Sequence, residues 1–150
     1  TIVDSWRIAK YHKEEYLNSP SLKVKSGEVL FVKFWTEKIL HPELLKIIIL
    51  DIHNVLSPKD QHYFRKSREK MFGKNWRKLL ISLRTTIHEQ EFFGGKNPSF
   101  SNQIVFGSFQ WARCVSNFSL LNPGDPIFNW REKMLNLHNQ MARKANGNPI

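Results

Sequence analysis

Cysteine is almost absent from this sequence, and long apolar runs are absent altogether. The chain has 150 residues and one cysteine, Cys114, so an internal disulfide is excluded. This fits a reducing compartment but does not distinguish it from secretion, because many secreted proteins also lack disulfides. The longest apolar candidate, LLKIIILDI, is about half of the roughly 18 residues that a membrane span needs. We therefore expect a cytoplasmic protein that does not span a membrane.

The sequence motifs of several common active sites are also missing. The six histidines are scattered, with no HxxxH, CxxC or HExxH spacing, so no metal site is expected. No glycine-rich phosphate loop and no GxSxG elbow occurs. Cys114 lies in the apolar stretch FQWARCVS, which favours a buried, inert thiol. Motifs alone therefore provide no catalytic residues.

Acidic residues are few compared with basic ones. Thirteen Asp and Glu stand against 23 Lys and Arg, which gives a formal net charge of +10. The densest basic run covers residues 65–78 and is interrupted by one acid, Glu69. Such a charge permits nucleic-acid binding without requiring it, and a solvated helix face is the more ordinary explanation.

What the sequence does contain is helical periodicity with clear end signals. Asp4 and Ser5 are good N-cap residues, Pro42 predicts an end or a kink, and Asp125 with Pro126 begins the last helix. The stretch VLFVKFW has strand-like composition, but it lies in a longer helical pattern. The predicted helices cover residues 4–17, 28–40, 41–56, 57–73, 75–90, 99–116 and 125–147.

Two long segments resemble a known family. Residues 94–116, GGKNPSFSNQIVFGSFQWARCVS, and residues 125–149, DPIFNWREKMLNLHNQMARKANGNP, are similar to the C-terminal half of the glutathione S-transferase superfamily. The likeness is greatest to the branch of bacterial lignin β-etherases and fungal etherase-like relatives. Residues 61–73 and the opening VDSWRIAKYHKEEY resemble corresponding helices of the same family.

The resemblance implies an all-α fold and a division of the chain. Residues 21–150 would form the C-terminal helical bundle of a glutathione S-transferase. Residues 1–20 would be the terminal remnant of its thioredoxin-like domain, whose remaining part would precede Thr1. The residue that activates the glutathione sulfur belongs to that part, so we expect no catalytic residue in this chain and poor thiol transfer by the chain alone.

The same resemblance assigns glutathione contacts to Asp4 and Ser5. In the family, a carboxylate at the first position receives the γ-glutamyl ammonium, and the serine with its N–H receives the carboxylate. A helix N-terminus stabilises an anion, and a carboxylate pairs with an ammonium, so the assignment is physically reasonable. Simple capping of the helix is the alternative role, and both roles are compatible.

The acceptor-substrate pocket of the family lies between the two domains. By analogy, the wall residues contributed by this chain would be Phe31, Phe34, Trp35, Lys38 and, more weakly, Trp111. Aromatic walls suit a hydrophobic aromatic electrophile. The alternative for the tryptophans is ordinary core packing.

One position departs from the family pattern. The superfamily begins its central helix with an S/T-x-x-D capping box, whereas this chain has Ser99-Phe100-Ser101-Asn102. Asn102 makes the reciprocal hydrogen bond neutral, with an expected loss of roughly 0.5–1 kcal/mol relative to the acid.

Two functions are consistent with these patterns. The first is a transferase that conjugates glutathione to an aromatic electrophile or cleaves an ether, with homodimerisation expected from the resemblance. The second is a non-catalytic interaction module that binds protein or RNA, for which the positive charge is suitable. Retention of Asp4 and Ser5 favours the first.

Overall fold

The computed structural model describes residues 2–18, 21–60, 76–117 and 120–148, and these are helical without a β-strand. A single bridge between Phe92 and Gly95 closes the turn before the central helix. The helices are α1 (Ser5–Glu15), α2 (Gly27–Trp35), α3 (His41–Val55), α4 (Trp76–Glu89), α5 (Phe100–Val115) and α6 (Pro126–Lys144), with a π-helical segment over Thr36–Leu40. The all-α prediction is confirmed, and VLFVKFW is helical.

The predicted helix over residues 57–73 falls mostly outside the described residues. Its start is described: residues 58–60 are helical, and the Ser57 hydroxyl donates to the Asp60 carboxylate at 2.6 Å. A helix therefore begins at Pro58, directly after Ser57, as the sequence predicts.

The core is assembled around Trp130 of α6, which is fully buried. Phe106 and Phe109 of α5 approach it edge-on, with ring centroids 6.3 and 6.0 Å away. Leu40 and Leu44 join the same cluster from the π segment and α3. α5 thus lies at the centre of the bundle, and one of its sides remains available to form a pocket.

Pro42 alters the helix in a way that the sequence left open. The chain continues from α2 into α3 without a break, but Thr36–Leu40 is wound as a π-helix and the His41 N–H donates to the Thr36 carbonyl. Proline has no N–H and its ring crowds the carbonyl four residues earlier. The wider π turn relieves that crowding, and it places Thr36 and His41 toward α5.

The start of α5 has the predicted capping residues. The Ser99 N–H and hydroxyl both donate to Asn102 Oδ1, at 2.9 and 3.1 Å. Asn102 is fully buried, and its Nδ2 finds no partner among the described residues. The neutral amide therefore keeps the loop-to-helix geometry but leaves one buried donor unsatisfied.

The last helix is not continuous to Gly147 as predicted. Leu137 to Gln140 depart from helical geometry, with φ between 50° and 62° at the last three of these residues, and α6 ends at Lys144. Arg113 of α5 holds the following segment by donating to the carbonyls of Ala142, Arg143, Ala145 and Asn148. This segment is shaped by contacts that local periodicity does not encode.

Cys114 corrects a second expectation. Its side chain is exposed instead of buried, and its Sγ contacts the Asn146 carbonyl at 3.3 Å. The apolar stretch around it faces the core with Phe109 and Ala112, while Cys114 lies on another side of the helix.

No helix among the described residues is long and apolar enough to cross a membrane.

Candidate functional site

A pocket of about 670 Å³ lies between the N-terminal segment and the helical bundle. One side is the start of α1, another is the end of α2 with the π segment and the start of α3, and the third is α5. Its lining residues are Asp4, Ser5, Trp6, Lys33, Thr36, Glu37, His41, Pro42, Leu45, Phe100, Gln103, Ile104, Gly107, Ser108 and Trp111.

Asp4 and Ser5 stand at the α1 end of this pocket. The Arg7 backbone N–H donates to Asp4 Oδ1 at 2.9 Å, so Asp4 caps the helix. The Asp4 backbone has a φ of 85°, which is uncommon for a residue with a side chain. Residues with such strained backbone angles persist only where the surrounding structure holds them, and they are frequent at ligand-binding positions.

Aromatic contacts bring α1 against the bundle. The rings of Trp6 and Phe100 are stacked with centroids 6.0 Å apart. The Lys33 ammonium lies 5.4 Å from the Trp6 ring centroid and pairs with Glu37 at 2.6 Å. These contacts fix the position of Asp4 and Ser5 relative to α2 and α5, although the residues are far apart in sequence.

His41 makes a hydrogen bond and an aromatic contact with α5 inside the pocket. Its Nε2 lies 2.9 Å from the Ser108 hydroxyl, and its ring meets Trp111 edge-on at 5.9 Å. Burial lowers the pKa of His41 below its usual value, although the negative charge of Glu37 opposes this. Because this pKa lies below 6.5, the neutral imidazole predominates at pH 7.

The π segment contributes Thr36, whose side chain is 1% exposed. Its hydroxyl finds no partner among the described residues. π turns inside helices are frequent at functional sites, because they redirect side chains from the regular helical positions. Here the turn directs Thr36 and His41 to the same pocket.

A second, smaller pocket of about 350 Å³ lies on another side of α2. It is formed with α4, the Phe93 turn and α5. Its lining residues are Glu28, Phe31, Val32, Trp35, Ser82, Leu83, Thr86, Phe93 and Val105. Glu28 at its rim accepts a hydrogen bond from the Ser101 hydroxyl at 2.7 Å.

The residues predicted from the sequence are distributed over both pockets. Asp4, Ser5 and Trp111 line the larger one, whereas Phe31 and Trp35 line the smaller one. Neither lining includes Phe34 or Lys38; Phe34 is 55% exposed, beneath the Lys33 ammonium at 5.1 Å. The structure therefore brings Asp4 and Ser5 together with Trp111, and separates them from Phe31 and Trp35.

Sequence reasoning missed Trp6, His41, Phe100 and Ser108. His41 and Ser108 are 67 positions apart, and no local pattern joins them. Pro42 was the available signal, since it implied an irregular helix whose neighbouring polar side chains would leave the normal face. Among the described residues, no group of three His, Cys, Asp or Glu side chains could hold a metal ion.

The class of protein follows from a match between these helices and a known family. A family model described as glutathione S-transferase, C-terminal domain, matches residues 28–119, which is more than half of the chain. The chain belongs to this family. The match runs from α2 to the end of α5 and so includes most of the pocket wall.

Proposed function

We propose that this chain is the helical part of a glutathione transferase and that Asp4 and Ser5 bind the γ-glutamyl group of glutathione. The observation that carries the proposal is the position of these two residues. They line a pocket of about 670 Å³ whose other walls belong to the matched helical domain. A transferase must hold glutathione next to its acceptor, and this pocket has room and lining residues for both.

The chemistry of the α1 start supports this role. Asp4 uses one carboxylate oxygen, Oδ1, as acceptor for the Arg7 N–H. A carboxylate has a second oxygen that can accept from an ammonium. Ser5 is the first residue of α1, where backbone N–H groups and the helix dipole favour a carboxylate ligand.

The surface of α1 supports the proposed division at residue 20. Val3 before α1, and Ile8 and Tyr11 on it, are between 41% and 65% exposed, so this short segment presents three apolar side chains to solvent. Such a surface is suitable for packing inside a thioredoxin-like domain. We propose that residues 1–20 belong to that domain and residues 21–150 to the helical one.

The reaction proposed for the intact enzyme is attack of the glutathione sulfur on a hydrophobic aromatic electrophile, by conjugation or ether cleavage. Trp6, Phe100 and Trp111 provide aromatic walls for that acceptor. Phe31 and Trp35 are proposed as acceptor contacts only through the smaller pocket, and Phe34 and Lys38 only as exposed side chains outside both linings. An etherase-related specificity, a homodimer and a cytoplasmic location belong to the same proposal.

The direct test is calorimetric titration of the chain with glutathione, using Asp4→Asn as the matched variant. Asparagine caps a helix as well as aspartate does and tolerates positive φ, but it has no charge for an ammonium. We expect millimolar or tighter binding by the wild type and a loss of about tenfold or more in Asp4→Asn, since hydrogen bonds to charged groups contribute about 1.5–3 kcal/mol.

A second ligand identifies the group that Asp4 binds. Deaminated glutathione, which lacks the ammonium, should bind the wild type and Asp4→Asn with similar affinity. Equal binding of glutathione by both proteins would contradict the proposed role of Asp4. No binding by the folded wild type would make the interaction-module function the better description.

A further inference from the structure

The hydrogen bond between His41 and Ser108 is compatible with either tautomer of the imidazole, and the burial of Ser108 favours one of them. Ser108 is 1% exposed, and its hydroxyl has His41 as the partner found among the described residues, at 2.9 Å. A buried hydroxyl hydrogen needs an acceptor. The Ser108 O–H therefore donates to Nε2, and the neutral ring carries its own hydrogen on Nδ1.

That Nδ1–H group is left for a bound molecule. His41 lines the larger pocket and is half-buried, and none of the described residues supplies a partner for Nδ1. Burial lowers the pKa of His41, which supports a neutral ring with one donor at pH 7. In this tautomer His41 brings one N–H donor to the pocket, next to the Trp111 ring with which it makes an edge contact.

The part of the pocket around His41 and Trp111, away from Asp4 and Ser5, is suited to a neutral, flat group. Trp111 and Phe100 provide aromatic surface, and Gly107 leaves open space above α5, where an added Cβ would meet nothing within 4 Å. The negative charges facing the pocket are those of Asp4 and Glu37, and the positive charge of Lys33 is already paired with Glu37 at 2.6 Å. A free anionic oxygen is therefore less suitable than a carbonyl or ether oxygen.

We propose that His41 is a specificity-determining residue that donates its Nδ1 hydrogen to a carbonyl or ether oxygen on an aryl acceptor substrate, with Ser108 as its positioning residue. This rests on the proposed transferase function, because it specifies the acceptor of the same pocket. It assigns a role to two residues that the sequence did not suggest.

The test compares two ligands that differ in one atom group. In 2-acetylnaphthalene a carbonyl oxygen replaces the terminal CH₂ of 2-isopropenylnaphthalene. Titration followed by the indole N–H resonances of Trp6 and Trp111 should show about three- to tenfold tighter binding of the ketone, as expected for one hydrogen bond. His41→Leu should abolish that preference, whereas His41→Asn should retain part of it, because its amide nitrogen lies as far along the side chain as Nδ1.

The role of Ser108 has a spectroscopic signature. Imidazole ¹⁵N shifts should identify the Nδ1–H form of His41 in the wild type and in Ser108→Thr, which keeps the hydroxyl. Ser108→Ala removes the donor to Nε2, so we expect the Nδ1–H population to fall and the preference for the ketone to fall with it. An Nε2–H ring in the wild type, or equal affinity for the two ligands, would overturn the inference.

A glutathione titration of the wild-type chain separates this inference from the proposed function, because the same protein gives both its glutathione affinity and its ketone preference. Glutathione binding without a ketone preference would overturn the role of His41 and leave the transferase proposal standing. A ketone preference without glutathione binding would support the His41 donor and contradict the transferase proposal.

Discussion

Thr36 shows how single residues report on the pocket. Its hydroxyl is buried and finds no partner among the described residues, which is a costly arrangement for a polar group. It is located in a π turn, where the usual helical carbonyl acceptor is displaced. The π turn places Thr36 in the pocket wall, and no side-chain hydrogen bond among the described residues holds it there.

Thr36→Val tests that interpretation. Valine keeps the branched shape and removes the unsatisfied hydroxyl, so we expect the free energy of unfolding to rise by about 0.5–1 kcal/mol. Thr36→Ala is the control, because it removes the hydroxyl and also leaves a small cavity. Urea denaturation measures both variants, and a less stable Thr36→Val protein would mean that the hydroxyl has a partner in solution.

His41 predicts a dependence of stability on pH. Its pKa is lowered in the folded chain by burial, so between that pKa and 6.5 the unfolded chain binds more protons than the folded one. The free energy of unfolding should therefore fall as the pH is lowered through this interval. In His41→Gln the decline below pH 6.5 should be reduced, as measured by denaturant midpoints between pH 5 and 8; an unchanged decline would contradict the shift.

Glu132 adds a separate decline at lower pH. Burial alone would raise the pKa of Glu132, but hydrogen bonds and charge from Arg143 and Arg131 lower it overall. The stability that these contacts supply is present above the usual value of 4.5 and is lost as the pH falls through the folded pKa. The two declines begin at different pH values, so His41→Gln should alter only the upper one.

At the scale of elements, α5 determines both the fold and the pocket. Phe106 and Phe109 face the core, whereas Gly107 and Ser108 face the pocket, so one helix serves two surfaces. Gly107 has an ordinary backbone conformation and open space around it. A glycine inside a helix is destabilising by roughly 0.5–1 kcal/mol relative to alanine. At Gly107 the missing side chain keeps the pocket wide along α5.

Gly107→Ala should separate these two effects. We expect the variant to be more stable by about 0.5–1 kcal/mol, because alanine favours the helix and meets no neighbour. Gly107→Leu should weaken the binding of aryl ligands by narrowing the pocket while remaining folded. Gly124→Ala is the control, because Gly124 lies in open space outside both linings and its variant should bind aryl ligands as the wild type does. Unchanged aryl affinity in Gly107→Leu would mean that the ligand binds outside this pocket.

Sequence reasoning could reach some of these elements and not others. Helix positions and caps such as Ser99 and Asn102 follow from local patterns, and the structure has them. The end of α6 does not, because Arg113 shapes it from another helix. The predicted wall residues fall into different pockets because of helical spacing. Phe31 and Trp35 are four positions apart and share one side of α2, whereas Lys33 and Glu37 are aligned along another side of α2 and the π segment.

At the scale of the whole molecule, two parts of the chain meet at one pocket. The N-terminal segment supplies Asp4 and Ser5, and the helical domain supplies the π segment and α5. A family resemblance could assign the first pair, but the pairing of His41 with Ser108 required the tertiary fold. Lys33 is the only lysine or arginine among the described residues that line this pocket, so the net charge of +10 is carried mainly by other parts of the chain.

The most direct measurement of the central claim is an NMR titration of the ¹⁵N-labelled chain with glutathione. Trp6 and Trp111 line the larger pocket, Trp35 lines the smaller one and Trp130 is in the core. We predict that the indole resonances of Trp6 and Trp111 shift and saturate at millimolar glutathione, while those of Trp35 and Trp130 do not move. Shifts confined to Trp35, or no shifts at all in the folded chain, would contradict the account.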